Sequence, residues 1–297
     1  MRRLLLFLLL ASAACVPDFP DDEWRITTAR VLAVKSEPAE AKPGTPLRYT
    51  AFVATVDAES SPFPSWTYCL APKPLTENNV VAADCLHEAS LLPLGRGQML
   101  ASAVPSDACK RFGPDVFADG FRPRDQDPTG GYYQPVRLDL NAEPPVFHLE
   151  RITCPLNGAA ADTARDFGQR YVANNNPRLI AVAASSAGNT VDFSQVRAGA
   201  RLTLTATWAP DDAEDYLYFD RSTQALATRR EAMRVLWYAS FGVLDRETSG
   251  RDEDEREANV SNGWVAPSTP GRGRLWVVLR DSRGGVDFSD YELTVVP

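Results

Sequence analysis

Histidine is scarce in this sequence: the 297 residues include only His87 and His148. Enzymes that use general acid–base catalysis usually need a histidine, or another side chain with a suitably shifted pKa. The sequence also lacks Gly-x-Ser-x-Gly, His-Glu-x-x-His and a glycine-rich phosphate-binding loop. These absences argue against the common hydrolase and nucleotide-binding classes. The chain is therefore predicted to be non-enzymatic and to use no cofactor or metal.

Basic stripes and long apolar segments are missing as well. The formal net charge is −8, which is a poor electrostatic match for nucleic acid or for anionic lipid. After the N-terminal leader, no segment reaches the roughly 20 apolar residues that a membrane-spanning helix requires. We therefore expect no nucleic-acid partner, and membrane attachment only near the N-terminus.

The N-terminus has the three parts of a secretory signal peptide, predicted to comprise residues 1–14. Arg2 and Arg3 supply a positive start, residues 4–10 are wholly apolar, and residues 11–14 are small. This pattern predicts export to an oxidising compartment, where cysteines pair.

Small residues directly before Cys15 resemble the lipobox of bacterial lipoproteins. The resemblance implies that Cys15 becomes the lipidated first residue of the mature chain, and that the protein is anchored in the cell envelope, at the outer membrane. Ser12 stands where a lipobox usually has leucine, so cleavage without lipidation is the alternative. Residues 16–28 are acidic, contain two prolines and are predicted to be a tether.

Cysteine is absent from residues 178–297, and four cysteines remain after Cys15. Of the three connectivities open to them, the preferred pairs are Cys69–Cys85, which flank a short excursion, and Cys109–Cys154, which bracket a Pro- and Gly-rich stretch. Because the predicted second domain has no cysteine, reduction is expected to destabilise the first domain alone.

Two long runs of strand-forming residues, 274–280 and 286–296, surround Gly284 and Gly285 and predict a C-terminal β-hairpin. Three shorter strand patterns occur twice, in the same order. They are residues 30–34, 43–51 and 65–68 in the first copy, and 178–182, 198–206 and 236–238 in the second. This repeat predicts two β domains of one kind.

The second copy is longer between its second and third strands. Gly44 and Gly199 are 155 positions apart and Trp66 and Trp237 are 171 apart, so 16 residues are extra. Within residues 211–228 the pattern predicts a projecting hairpin, with a helix from Ser222 as the alternative. Its aromatic residues are predicted to contact a partner: Tyr216, Tyr218 and Phe219.

The repeated strands, together with residues 264–267 and 279–285, resemble bacterial cell-surface lipoproteins built of immunoglobulin-like or PKD-like sandwiches. The resemblance implies an all-β fold of two tandem Ig-like β-sandwiches, and no catalytic residue. The predicted organisation is a signal peptide (1–14), a lipidated cysteine and tether (15–28), a first domain with a disulfide-linked irregular insertion (29–155), a short helix and linker (156–177) and a second domain (178–297).

The leading functional hypothesis is an envelope protein whose sandwiches bind another envelope protein or a polysaccharide. An extracellular hydrolase with paired carboxylates in the first domain is the alternative, and two carboxyl groups about 5–10 Å apart in one pocket would support it. Alternation predicts that His148 faces solvent. The acidic residues between 245 and 257 are predicted to form a solvated loop rather than a calcium site, because arginines are interleaved among them.

Overall fold

A computed structural model describes residues 23–56, 62–74, 76–114, 127–140 and 144–297. These residues form two β-sandwiches in tandem, joined by one helix and a short linker. The fold is all-β, as predicted from the sequence. The signal peptide and Cys15 lie outside the described residues.

The first sandwich consists of eight strands in two sheets. β1, β3 and β6 form a three-stranded sheet, and the other five strands pair in the order β2-β8-β7-β4-β5. The strands are β1 (Arg30–Glu37), β2 (Glu40–Ala41), β3 (Pro46–Ala54), β4 (Ser65–Cys69), β5 (Leu91–Arg96), β6 (Met99–Ala103), β7 (Tyr132–Asp139) and β8 (Val146–Ile152). Helix α1 (Ala108–Phe112) precedes β7, and helix α2 (Ala161–Arg170) follows β8.

The second sandwich has two five-stranded sheets, ordered β10-β9-β12-β18-β16 and β11-β20-β19-β15-β17, and a separate hairpin of β13 and β14. Its strands are β9 (Leu179–Ser186), β10 (Asn189–Val191), β11 (Val196–Arg197), β12 (Arg201–Trp208), β13 (Asp215–Asp220), β14 (Ala225–Arg230), β15 (Met233–Ala239), β16 (Val243–Leu244), β17 (Thr248–Arg251), β18 (Asn259–Val265), β19 (Gly271–Asp281) and β20 (Val286–Val296).

The two sandwiches share one strand order. In the first, β1-β3-β6 faces β2-β8-β7-β4-β5, with β2 parallel to β8. In the second, β9-β12-β18 faces β11-β20-β19-β15-β17, with β11 parallel to β20. Both are Ig-like sandwiches, and the three predicted repeat strands occupy equivalent places in each. The first sandwich is more regular than its sequence indicates, because β5 and β6 complete the same order.

Two residue types explain why the repeat is visible in the sequence. Gly44 and Gly199 both have positive φ, at 80° and 71°, in the turn before the second strand, and glycine adopts that conformation without steric cost. Trp66 and Trp237 are buried in equivalent positions, and each indole N–H donates a hydrogen bond, to Gly97 O and to Ser249 Oγ. Each tryptophan anchors the core of its own sandwich.

The two disulfides have the predicted connectivity. Cys69–Cys85 holds a loop against the outer face of the five-stranded sheet, where Phe147 and Leu149 pack on it. Cys109–Cys154 joins α1 to the segment after β8. Both bridges lie in the first sandwich, and each restricts the unfolded chain of that part only.

The predicted tether is wrong for residues 23–28. Trp24 is buried in the core of the second sandwich, and the backbone of this segment pairs with Ala239. Ile26 is buried between the sandwiches. Apolar side chains pull this end of the predicted tether into the fold, so the N-terminal segment contacts both sandwiches. Within the described residues, no helix is long and apolar enough to cross a membrane.

Candidate functional site

An apolar core fixes the first sandwich against the second. Phe52 of β3 stacks on Phe288 of β20 with ring centroids 4.3 Å apart, and Trp276 and Val278 of β19 pack beside them. The register of β1 shifts between Val31 and Ala33, and a bulge of this kind re-aims the side chains of a strand. Leu32 and Ala33 consequently both join this interface core.

The linker between the sandwiches is held by its asparagines. Asn174 N donates to Glu40 Oε2 at 3.0 Å, and its side-chain amide contacts Asp281 at 3.3 Å. Asn176 bridges the sandwiches, because its Nδ2 donates to Ser36 O and its Oδ1 accepts from Val286 N. The residues that predict a chain break therefore act as fixed connectors, because asparagine can satisfy backbone groups on both sides.

Buried ion pairs surround this linker. Arg151 of β8 pairs with Glu40 at 3.1 Å, and both side chains are almost fully buried. In the second sandwich, Arg283 donates to Glu231 at 2.5 Å and to Glu214 at 2.6 Å. Removing one member of such a pair leaves an uncompensated buried charge, which is strongly destabilising. Each pair lies within its own sandwich and also contacts the linker, because Glu40 accepts from Asn174 N and Arg283 donates to Val172 O.

Burial shifts the titration of two carboxyl groups in this cluster. Desolvation, with the nearby Asp281 carboxylate, raises the pKa of Glu231 to about 8, although Arg283 acts in the opposite direction. Desolvation also raises the pKa of Asp281. Both shifts arise because a charged carboxylate loses its hydration inside the protein.

The extra hairpin of the second sandwich contacts the first sandwich. β13 and β14 form the predicted hairpin rather than a helix. At its turn, Arg221 donates to Tyr132 Oη at 3.1 Å, and Arg229 of β14 donates to Pro128 O at 2.9 Å. The hairpin therefore closes over the junction instead of projecting into solvent.

This packing corrects the predicted partner contact. Tyr216 is 3% exposed and Phe219 is 2% exposed, so neither offers a surface to another molecule. The Arg283 guanidinium covers the Tyr216 ring at 4.9 Å. Tyr218 is half-buried under Arg229, whose guanidinium lies 3.8 Å from the ring centroid. The aromatic residues of the hairpin bind their own chain.

A cleft of about 770 Å³ opens between the sandwiches. Its walls come from β1, the loop closed by Cys69–Cys85, the start of β7, the strand β8 and the β19–β20 turn. Lys73, Tyr133 and Arg280 supply polar side chains, and Val80 lies at the lining with 76% of its surface exposed. The volume lies in the range of ligand pockets, which occur preferentially at domain interfaces. We take this cleft as the candidate site.

Tyr132 and Tyr133 both line the cleft. Asp127 fixes Tyr133, because its carboxylate accepts hydrogen bonds from the Tyr133 hydroxyl, Thr129 N and Gly131 N. Burial is the main cause of the raised pKa of Tyr133. This turn holds the tyrosine ring at the wall as a preset contact surface.

His148 faces the interior of the first sandwich, so the prediction that it faces solvent is wrong. Its ring packs edge-on against Tyr49 at 5.9 Å, and Nε2 lies 3.4 Å from Glu150 Oε2. The disulfide-linked loop covers the other face of β8, so Phe147 and Leu149 point to that loop. Burial raises the pKa of Glu150.

Arg280 lines the cleft and has no carboxylate partner among the residues that the structure describes. Nη2 donates to Leu32 O at 3.2 Å, while the buried Nε has no hydrogen-bond partner within the part of the chain that the structure describes. Its cross-strand neighbour Arg234 pairs with Asp252. Desolvation lowers the pKa of Arg280. A buried guanidinium without a carboxylate favours binding of an anion.

The carboxylates of the cleft wall are already engaged. Asp127 is held by its own turn, and Asp281 accepts from Arg283 N and Gly285 N in the β19–β20 turn. Across the described ranges, no group of three or more His, Cys, Asp or Glu side chains could hold a metal ion. In the acidic segment 245–257, Asp245 pairs with Arg201 and Glu255 with Arg251, so arginines neutralise these carboxylates.

No protein-family model matches the chain, and no curated protein is similar to it in sequence. Among solved structures it is similar to the D00-D0 domain of intimin, at 10% identity with a TM-score of 0.27, covering 91% of this chain and 99% of that one. The fibronectin(III)-like modules of CbhA from Clostridium thermocellum have 10% identity and a TM-score of 0.22, with 89% and 93% covered. The adhesin InvE of Yersinia pseudotuberculosis has 9% identity and a TM-score of 0.23, with 89% and 58% covered. Scores this low carry no argument, so the fold assignment rests on strand topology.

Proposed function

We propose that the chain is a non-enzymatic cell-envelope protein that binds a partner protein or a glycan in the cleft between its two sandwiches. The observation that carries the proposal is the cleft itself, about 770 Å³ in volume and lined by both sandwiches. An apolar core, buried ion pairs and the asparagine linker fix its walls. A preset cleft loses little conformational entropy when a ligand binds.

The geometry favours binding over the hydrolase alternative. Asp127 and Asp281, the two carboxylates at the wall, each accept hydrogen bonds from their own turns. Glycoside hydrolysis needs one carboxyl group that gives up a proton and a second that attacks or activates water. Carboxylates occupied by their own backbone are positioned for structure and supply neither role.

Exposed residues of the cleft allow a test that spares the fold. Val80→Ser combined with Lys73→Ser changes two exposed side chains at the wall. Ile180→Ser, on β9 of the second sandwich, removes an apolar side chain of similar exposure outside the cleft. The purified chain should capture a partner from an envelope extract, and the cleft variant should lose at least tenfold in recovery while Ile180→Ser does not. Equal recovery by all three proteins would reject the cleft.

The envelope location is a second part of the proposal, and the leader and Cys15 support it. A lipidated Cys15 carries two or three acyl chains in such proteins, and more than one chain is needed for stable anchoring. Cys15→Ala should move the protein from the membrane fraction to the soluble fraction. Cys15→Ser provides the matched control, because it also removes the thiol and must behave alike. Membrane association that persists in both variants would contradict lipidation.

A further inference from the structure

One long edge of the first sandwich is open along β8. Its neighbour β2 covers only Arg151 and Ile152, where the two strands are parallel. Thr153 N donates to Ala41 O at 3.0 Å, so the backbone groups of odd-numbered residues point away from β7. Because strand backbone alternates with a period of two, the N–H and C=O groups of Phe147 and Leu149 point to the same edge.

This edge has no strand beside it in the described part of the protein. Within that part, no backbone hydrogen bond joins the outer groups of Phe147 or Leu149 to another segment. Proteins usually cover or charge an open edge, because unpaired N–H and C=O groups accept another strand. Here residues 146–149 form one wall of the cleft instead. The open stretch spans about 13 Å at the usual rise of a strand.

The cleft also contains a positive charge, Arg280, which a strand bound at this edge could contact. Arg280 lines the cleft, and its cross-strand neighbour Arg234 pairs with Asp252. Buried Nε of Arg280 has no partner among the residues described. A guanidinium binds a carboxylate with two parallel N–H groups and gains strength when water is excluded. An occupant with a carboxylate therefore complements this site.

We propose that the cleft receives an extended acidic segment of a partner protein, which pairs its backbone with β8 at Phe147 and Leu149 and places a carboxylate on Arg280. This inference rests on the proposed function and narrows its partner from protein or glycan to an acidic strand. The strand extends the five-stranded sheet, so main-chain hydrogen bonds supply affinity and the carboxylate supplies selectivity.

A library of random octapeptides displayed on phage tests the proposal with the purified full chain. We expect enriched sequences that contain aspartate or glutamate and avoid proline. Their synthetic peptides should bind at least tenfold more weakly to Arg280→Gln, whereas Arg272→Gln, an exposed arginine on the same strand, should bind as the wild type does. Replacing the acidic residue of the peptide with its amide should weaken binding to the wild type but not to Arg280→Gln.

Backbone pairing has its own test. Leu149→Pro removes one outward N–H, so the β7–β8 ladder keeps its hydrogen bonds, and Leu149→Ala keeps the N–H while removing the side chain. The proline variant should lose peptide binding and the alanine variant should retain it. In the wild type, NMR amide exchange at Phe147 and Leu149 should be fast without peptide and at least tenfold slower with it. This exchange measurement needs no variant to fold.

Three results would overturn the proposal: no enriched peptides, equal binding by wild type and Arg280→Gln, or slow exchange at Phe147 and Leu149 without peptide. The last would mean that the edge is already covered. If the proposal fails while Val80→Ser with Lys73→Ser still abolishes partner capture, the cleft binds something other than an acidic strand. If that capture is also unaffected, the proposed function fails as well.

Discussion

Buried charged side chains of both sandwiches hold the linker between them. Glu40, Arg151, Glu231 and Arg283 are nearly inaccessible, and they hydrogen-bond in pairs, Arg151 to Glu40 and Arg283 to Glu231. Replacing such buried pairs with apolar residues of similar volume is often neutral or stabilising, so stability alone does not explain why charged residues occupy these positions. Their hydrogen bonds are satisfied in one arrangement of these buried segments.

The raised pKa of Glu231 predicts that the stability of the folded protein depends on pH. Its pKa is raised from 4.5 to about 8 in the folded protein, so folding favours the protonated form. The corresponding stability is fully present below about pH 4.5 and is lost as pH rises through the window up to about 8. Thermal unfolding followed by circular dichroism should show a melting temperature that falls between pH 5 and pH 9.

Glu231→Gln is the matched control, because it keeps one acceptor for Arg283 and cannot ionise. Its melting temperature should depend less on pH over the same window. Asp281, whose pKa is also raised by burial, should account for part of the remaining slope. A wild-type melting temperature that rises toward pH 9, or equal slopes for both proteins, would contradict this assignment.

At the residue scale the sequence is least informative about polar groups that become buried. His148 and Glu150 alternate with Phe147 and Leu149, which is the usual pattern of a strand with one wet face. The disulfide-linked loop covers the apolar side of β8, so the polar side turns inward. The local sequence pattern of a strand does not indicate which loop covers one of its faces. The sequence also does not indicate that Arg280 lines the cleft. Its surroundings, in which Nε has no hydrogen-bond partner among the described residues, are formed by segments distant in sequence.

Strands were the most predictable elements, because their signals are local. The C-terminal hairpin, the repeated strand positions, the helix after β8 and both disulfides follow from periodicity, glycine placement and cysteine spacing. The extra hairpin is also predicted from the sequence, but the partner contact assigned to its aromatic residues is wrong. The hairpin contacts the first sandwich through Arg221 and Arg229. Contacts between elements that are distant in sequence cannot be predicted from the local pattern of one sequence.

Because the aromatic residues of the hairpin are buried or half-buried, we expect their substitution to lower the stability of the protein rather than its binding of a partner. Tyr216→Ser should destabilise the protein by about 3 kcal/mol, since a buried aromatic side chain is lost. That corresponds to roughly 6–12 °C in melting temperature for a chain of this size. Tyr218→Ser removes a half-buried ring and should shift the melting temperature by less than a third of that. Equal effects of the two substitutions would contradict the packing described here.

The whole molecule consists of two similar sandwiches, and their shared apolar core is expected to make them unfold together. Absence of cysteine from the second sandwich suggested that a reductant would affect the first sandwich alone. The interface core of Phe52, Trp276, Val278 and Phe288 changes that expectation, because unfolding either sandwich exposes apolar surface of the other. Trp24 and the β13–β14 hairpin add contacts that cross between the two.

Differential scanning calorimetry of the purified chain tests the fixed junction most directly. The structure predicts one transition, with a calorimetric enthalpy equal to the van't Hoff enthalpy. Reduction of Cys69–Cys85 and Cys109–Cys154 should move that whole transition to lower temperature. Two separate transitions, of which reduction shifts only one, would contradict the claim that the sandwiches and the cleft between them form a single rigid unit.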